Sequence, residues 1–256
     1  MKKTFFKIII VFVCLLTVVS CTSSKKIAYL EKTSELSSEL KFETTLQPDD
    51  QLMILVNSEN PEIAAPYNLK SVSIQGTNET GITQERMQNY ILDQEGNIDF
   101  PLIGKINLLG LNRNQASEKI KNILKNGYIN DPSIYLRLLN FKISVLGEVN
   151  KPGVYPVQGE RVTLIEALAL AGDLTIYGKR NSILLIREKN GAKTYEKIDI
   201  TNTDFINSKN YYLSQNDVIY VEPNKTKVNS SAVGPNLTIG ISALSLVVTI
   251  LALTLK

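Results

Sequence analysis

The chain has 256 residues, two cysteines, no histidine and no tryptophan. Without histidine, and with Cys14 and Cys21 both near the start, Cys/His zinc sites, Ser-His-Asp triads and Cys-His pairs are excluded, so no enzyme, metal site or cofactor is expected. Of the 28 Lys and Arg residues, Lys2, Lys3 and Lys7 lie ahead of Cys21, where no acid does; the remaining 25 balance 25 Asp and Glu and give no electrostatic footprint for nucleic acid.

Met1-Lys2-Lys3 is a basic start, and Phe5 to Val19 is apolar apart from Lys7 and Thr17. A basic start, an apolar core and small residues before a break describe a secretory signal peptide over 1–20. The core stops at Val18-Val19-Ser20-Cys21, which matches a lipobox and makes Cys21 the candidate lipidated residue. The competing reading is an ordinary signal with an incidental cysteine. Residues 21–41, rich in Ser, Lys, Glu and Thr, read as a tether.

Structure is expected from about residue 42. Pro48-Asp49-Asp50 should turn the chain into a strand at Leu52 to Val56, and its paired carboxylates read as a turn and strand cap. Asn57 to Met87 is polar and reads as loop, with one short strand near Val72 to Ile74. Tyr90 to Gly104 reads as a hairpin about Gln94-Glu95-Gly96-Asn97. Asn112, with Gln115 three residues on, should cap a helix whose apolar face holds Ala116, Ile120, Ile123 and Leu124, and Gly127 should end it. A β-rich run from Ser133 to Leu139 closes this first unit, 42–140, of mixed strands with one helix.

The second unit, 141–223, begins with a strand at Phe141 to Leu146. A turn at Pro152-Gly153 returns the chain along Val154 to Val157. Thr163 and Glu166 form a capping box for a helix from Leu164 to Ala171, stopped by Gly172. Strands at Ser182 to Arg187, Lys193 to Ile200 and Asp217 to Val221 complete the order β-β-α-β-β-β, a β-grasp pattern. The fold class is therefore α+β. Gly147, Pro152 and Gly153 read as turn formers and the tyrosines as packing residues, so no sugar ligands are assigned.

After a linker over 224–236, Leu237 to Leu255 carries no charge. As a helix it would span about 28 Å, close to the hydrocarbon thickness of a bilayer. Thr238, Ser242, Ser245 and Thr249 are spaced four, three and four apart, and with Ala252 and Lys256 they fall within an arc of about 80°, opposite a surface of Leu, Ile and Val. An amphipathic transmembrane helix over 237–255 is expected. Its hydroxyl stripe suits a pore lining or a helix–helix contact better than a lone lipid-facing anchor.

Several of these segments resemble the bacterial polysaccharide export family, the Wza-type outer-membrane auxiliary proteins. Leu46-Gln47-Pro48-Asp49-Asp50 with Leu52 to Val56 resembles the family's Pro-Gly-Asp-x-Leu opening, except that Asp49 stands at the usual Gly. Gly96-Asn97-Ile98, Pro101 to Gly104, Gly110-Leu111 and the Ala116-to-Leu124 helix resemble the rest of its export domain. Val145 to Val149, Pro152 to Tyr155 and Leu164 to Gly172 resemble its soluble-ligand-binding β-grasp (SLBB) domain, present here once. The resemblance implies an outer-membrane lipoprotein, with Thr22 after Cys21 favouring that destination and the folded domains in the periplasm. It further implies a homo-oligomeric ring, octameric as in the type member, that passes capsule or exopolysaccharide. An inner-membrane polysaccharide co-polymerase is the implied partner. A periplasmic glycan-binding or adaptor lipoprotein, anchored by its tail and forming no pore, is the alternative.

Overall fold

The computed structural model describes residues 29–30, 44–75, 82–189 and 191–232, together with 239–240, 242–243, 245–247 and 249–250 of the C-terminal stretch. The expected signal peptide, Cys21, most of the tether and Thr238 lie outside these residues. Within them the chain is α+β, built around two hydrophobic cores.

The first core grows from strand β1 (Gln51–Asn57), in which every second residue, Leu52, Ile54 and Val56, is buried. That alternation is the two-residue period of a strand with one covered face. After a short helix α1 (Pro61–Ala64), the hairpin β2 (Lys70–Gln75) and β3 (Ile82–Met87) occupies the stretch expected to be mostly loop. The polar composition of that hairpin hides its strand period, and pairing between its arms supplies what composition lacks. Strand β4 (Tyr90–Ile91) pairs with β1, as does β7 (Ser133–Leu138), both antiparallel. The hairpin expected over Tyr90 to Gly104 is therefore corrected. Strand β5 (Asn97–Phe100) pairs instead with β6 (Gly104–Asn107), while β4 leaves for the central sheet. The intervening turn does form: Asp93 accepts from the Glu95 and Asn97 N–H groups, and Gly96 takes a left-handed φ of 77°.

Helix α2 (Arg113–Lys125) starts at Asn112, which has a complete capping box with Gln115. It buries Ala116, Ile120 and Leu124 against the sheet. Their spacing of four puts them on one face, and burying each large aliphatic side chain contributes about 2 kcal/mol.

The second core lies beneath a five-stranded sheet made of β8 (Lys142–Gly147), β9 (Gly153–Pro156), β10 (Gly178–Lys189), β11 (Ala192–Ile198) and β12 (Val218–Pro223). Its order is β11-β10-β12-β8-β9, with β12 and β8 parallel and the other neighbours antiparallel. Helix α3 (Leu164–Leu170), capped by Thr163 and Glu166 together, lays Leu164, Ala167 and Leu168 on this sheet. The element order is the β-β-α-β-β-β order read from the sequence. Gly147 sits at φ 89° with its Cα against β12; a Cβ there would meet the Val221 carbonyl oxygen at 2.1 Å, so only glycine fits. Asp217 is fully buried at the start of β12, where the Arg187 guanidinium grips both its carboxylate oxygens.

A buried polar junction joins the two cores. Asn140 Oδ1 accepts from the Gln51 N–H, and its Nδ2 donates to the Asp49 carbonyl, both at 2.9 Å. From the other side, Gln215 Nε2 donates to the Asn140 carbonyl at 2.8 Å, and Gln215 Oε1 accepts from the Lys142 N–H at 2.8 Å. Asp49 has a φ of 67°, the left-handed conformation that a glycine would supply, so the exchange of Gly for Asp leaves the turn in place. Asp50 is fully buried there; its Oδ2 accepts from the Gln47 N–H at 2.9 Å, while Oδ1 has no partner among the described residues.

Burial pushes the Asp50 carboxyl up from its ordinary 3.8 to about 6; the Gln47 N–H and the nearby Gln215 amide oppose this, and Asp49 adds to it. An acid whose folded pKa is raised stabilises the fold below its unfolded pKa and loses that contribution as pH rises through the folded one. Between pH 4 and pH 7, Asp50 should therefore remove about 2–3 kcal/mol of stability. Asp50→Asn should gain that amount relative to wild type across the same interval, measured by urea unfolding at both pH values. A difference independent of pH would contradict the assignment.

Candidate functional site: the chain exits and the cleft between the cores

Of the residues singled out in the sequence, Cys21 and Thr238 lie outside the described residues. Ser242, Ser245 and Thr249 are helical and exposed. Ser245 Oγ donates to the Ser242 carbonyl and Thr249 Oγ1 to the Ser245 carbonyl, each at 2.8 Å. The stripe's hydroxyls can thus be satisfied within one helix, the usual back-bonding of Ser and Thr. No helix among the described residues is long and apolar enough to cross a membrane, so the transmembrane helix expected over 237–255 is not found there.

What the sequence did not single out is where the chain enters and leaves the second core. Tyr29 packs on that core and donates its hydroxyl to Asp173 Oδ1. The Arg180 guanidinium carbon lies 5.4 Å from the Tyr29 ring centroid, and the Leu30 N–H reaches the Ile200 carbonyl at 3.3 Å. Arg180 is itself buried and donates to the Gly178 carbonyl at 3.0 Å. Burial pushes the Tyr29 phenol up to about 12, with the bond to Asp173 adding to the rise. At the far end of the chain, the Asn224 N–H donates to the Tyr177 carbonyl at 2.7 Å, just before helix α4 (Lys225–Ala232). Lys227 of α4 sits 5.1 Å from the Tyr177 ring centroid and 3.7 Å from Glu148. Tyr29 and α4 therefore both anchor on the segment from Asp173 to Arg180, which leads into β10.

A cleft of about 540 Å³ opens where the two cores meet. Its apolar floor is formed by Leu46, Leu136, Leu138 and Phe141, and Arg113, Arg137 and Arg161 stand around it. Arg113 follows the N-cap of α2, Arg137 projects from the exposed face of β7, and Arg161 precedes α3. Arg113 pairs with Glu160 across the cleft, Arg137 donates to the Gln158 carbonyl at 3.1 Å, and Arg161 lies over the Tyr212 ring at 5.2 Å. No local motif marks these three arginines, because the fold alone brings them together. Their one legible signal is the polar position of Arg137 in a strand whose neighbour Leu136 is buried.

Comparison with known proteins agrees with this architecture. Residues 39–139 match the polysaccharide biosynthesis/export protein family, and residues 141–221 match the SLBB domain. The chain thus carries an export-family domain followed by an SLBB domain. It is 26% identical over 192 residues to the EPS I polysaccharide export outer membrane protein EpsA of Ralstonia solanacearum, an alignment covering 72% of this chain and 50% of that protein. Against the protein of the same name from Ralstonia nicotianae it is 26% identical over 176 residues, or 67% of this chain and 45% of that one. The chain thus spans about half the length of the curated relatives it matches.

The anchoring of the first segment is directly testable. Tyr29→Ala removes both the ring over Arg180 and the bond to Asp173, and should speed hydrogen exchange at the Leu30 amide by about tenfold or more. Tyr29→Phe keeps the ring and should fall between that variant and wild type. Exchange at Leu30 unchanged in both would contradict the latch.

Proposed function

We propose that this protein is a subunit of an outer-membrane polysaccharide export channel and performs no covalent chemistry. The observation that carries the reading is the junction of an export domain and an SLBB domain in one chain whose Tyr29 segment and α4 anchor on the same stretch, Asp173 to Arg180. Tyr29 lies eight positions after Cys21, a reach of about 28 Å at full extension. A lipid on Cys21 and a helix continuing from α4 would therefore meet the same membrane, with both domains in the periplasm. Several copies would set their tail helices side by side in a ring, an octamer by the family resemblance. Thr238, Ser242, Ser245 and Thr249 would face water or neighbouring helices, and the opposite surface lipid. Short hydroxyl side chains offer a passing sugar polymer weak, replaceable contacts, which conduction requires. An inner-membrane polysaccharide co-polymerase would deliver the polymer.

A second reading has one observation in its favour. Because Ser245 and Thr249 can bond within their own helix, the tail could serve as a solitary anchor for a glycan-binding or adaptor lipoprotein. Native mass in mild detergent separates the two readings, since a ring is a defined oligomer and an adaptor a monomer.

Two substitutions test the stave. Val247 lies opposite the hydroxyl stripe at 100° per residue. An aspartate in the middle of a lipid-facing helix disfavours insertion by about 2.5–3.5 kcal/mol. In a strain lacking the gene, Ser245→Asp should restore polysaccharide secretion and oligomer formation, and Val247→Asp should restore neither. The opposite pattern, or full rescue by a chain ending at Pro223, would overturn the proposal.

A further inference from the structure

We propose that the cleft between the two domains binds a carboxylate-bearing sugar unit of a polysaccharide. This rests on the export reading and narrows it to an acidic polymer. At about 540 Å³ the cleft falls within the about 300–1,000 Å³ of sites that take small organic ligands. Both domains build it, so it exists only in the joined protein.

Its chemistry is that of an acidic pyranose read in two halves. Leu136 and Phe141 are buried beneath the cleft, and half-buried Leu138 offers an apolar edge to the C–H face of a sugar ring. Around it stand three guanidinium groups and one carboxylate, a local excess of positive charge in a chain whose charges otherwise nearly cancel. Guanidinium forks match carboxylates in shape and charge, and bonds between the two are among the stronger hydrogen bonds of proteins. Two of the forks are held ready: Arg161 is stacked on Tyr212 and Arg137 is fixed by the Gln158 carbonyl. The third shows the contact itself, because Glu160 already places a carboxylate on Arg113. That pair is largely exposed, at 45% for Arg113 and 66% for Glu160, and such pairs exchange partners at little cost. A ligand carboxylate can therefore take the place of Glu160, which makes Glu160 an internal competitor.

The test is calorimetric titration of the full-length protein in detergent micelles. The probes are a hexasaccharide of alternating glucuronate and N-acetylglucosamine, its carboxyl-reduced counterpart, and a polyglutamate peptide of equal charge. The acidic glycan should bind about tenfold tighter than the reduced one, as expected for loss of a charge-assisted contact. Arg137→Gln and Arg161→Gln should each erase most of that preference, while Glu160→Gln should tighten binding severalfold, which a merely structural role would not do. Asn114→Trp, which fills the cleft from its surface edge, should abolish binding with an unchanged melting temperature. Equal binding of the two glycans, binding of neither, retention of the preference in both arginine variants, or equally tight binding of the peptide would each overturn the proposal. Secretion in a strain lacking the gene is a separate readout: its loss beside a failed titration leaves the export reading standing, and its persistence overturns that reading.

Discussion

The two domains are held together at a polar joint in which the side-chain amide of Gln215 donates to the backbone of Asn140 while Asn140 grips the turn before β1. The Arg113–Glu160 pair and the Arg137–Gln158 bond lie beside it. Unpaired backbone groups are costly to bury, so a junction that satisfies the Gln51 and Lys142 N–H groups and the Asp49 and Asn140 carbonyls fixes geometry as well as contact. Asp50 sits inside this junction with one oxygen unmatched. The joint is therefore specified by hydrogen bonds, with a carboxyl group inside it whose charged form burial disfavours.

That joint sets what surrounds it. The cleft takes its floor from Leu136 and Leu138 on one side and Phe141 on the other, so its shape follows from the angle at which the cores meet. The segment from Asp173 to Arg180 lies on the second core and holds both Tyr29 and Asn224. A ring of such subunits would transmit any tilt of the export domain to the membrane-proximal end through Asn140 and Gln215.

Local chemistry made much of the fold legible in the sequence. The reciprocal caps Asn112–Gln115 and Thr163–Glu166 are each complete within four residues, and both helices begin where those residues say. The β-β-α-β-β-β order was legible because β8 and β12 carry apolar alternation and the turn-forming pairs Pro152-Gly153 and Asn190-Gly191 set off their neighbours. Strand partners were not. Tyr90-Ile91 reads as one arm of a hairpin with Asn97–Phe100, yet its backbone pairs with β1, and the stacked Tyr90 and Phe100 rings keep it beside β5. The polar β2–β3 hairpin carries too few apolar residues to announce itself. Asp49 replaces the residue type usual at a left-handed turn and adopts that conformation regardless, since a short polar side chain tolerates it. At the level of the site, the hydroxyl stripe can be read from spacing alone. Tyr29 on Arg180 and the three cleft arginines cannot, because their contacts join segments that no periodicity relates.

The most direct measurement of the account is hydrogen exchange under increasing urea, followed separately in β1 and β7 of the first core and in β8 and β12 of the second. If the buried joint welds the domains, amides in both sheets should converge on one unfolding free energy, and Asn140→Ala should split them into two. Two separate transitions in the wild-type protein, with each core opening without the other, would contradict the claim that the domains act as one body.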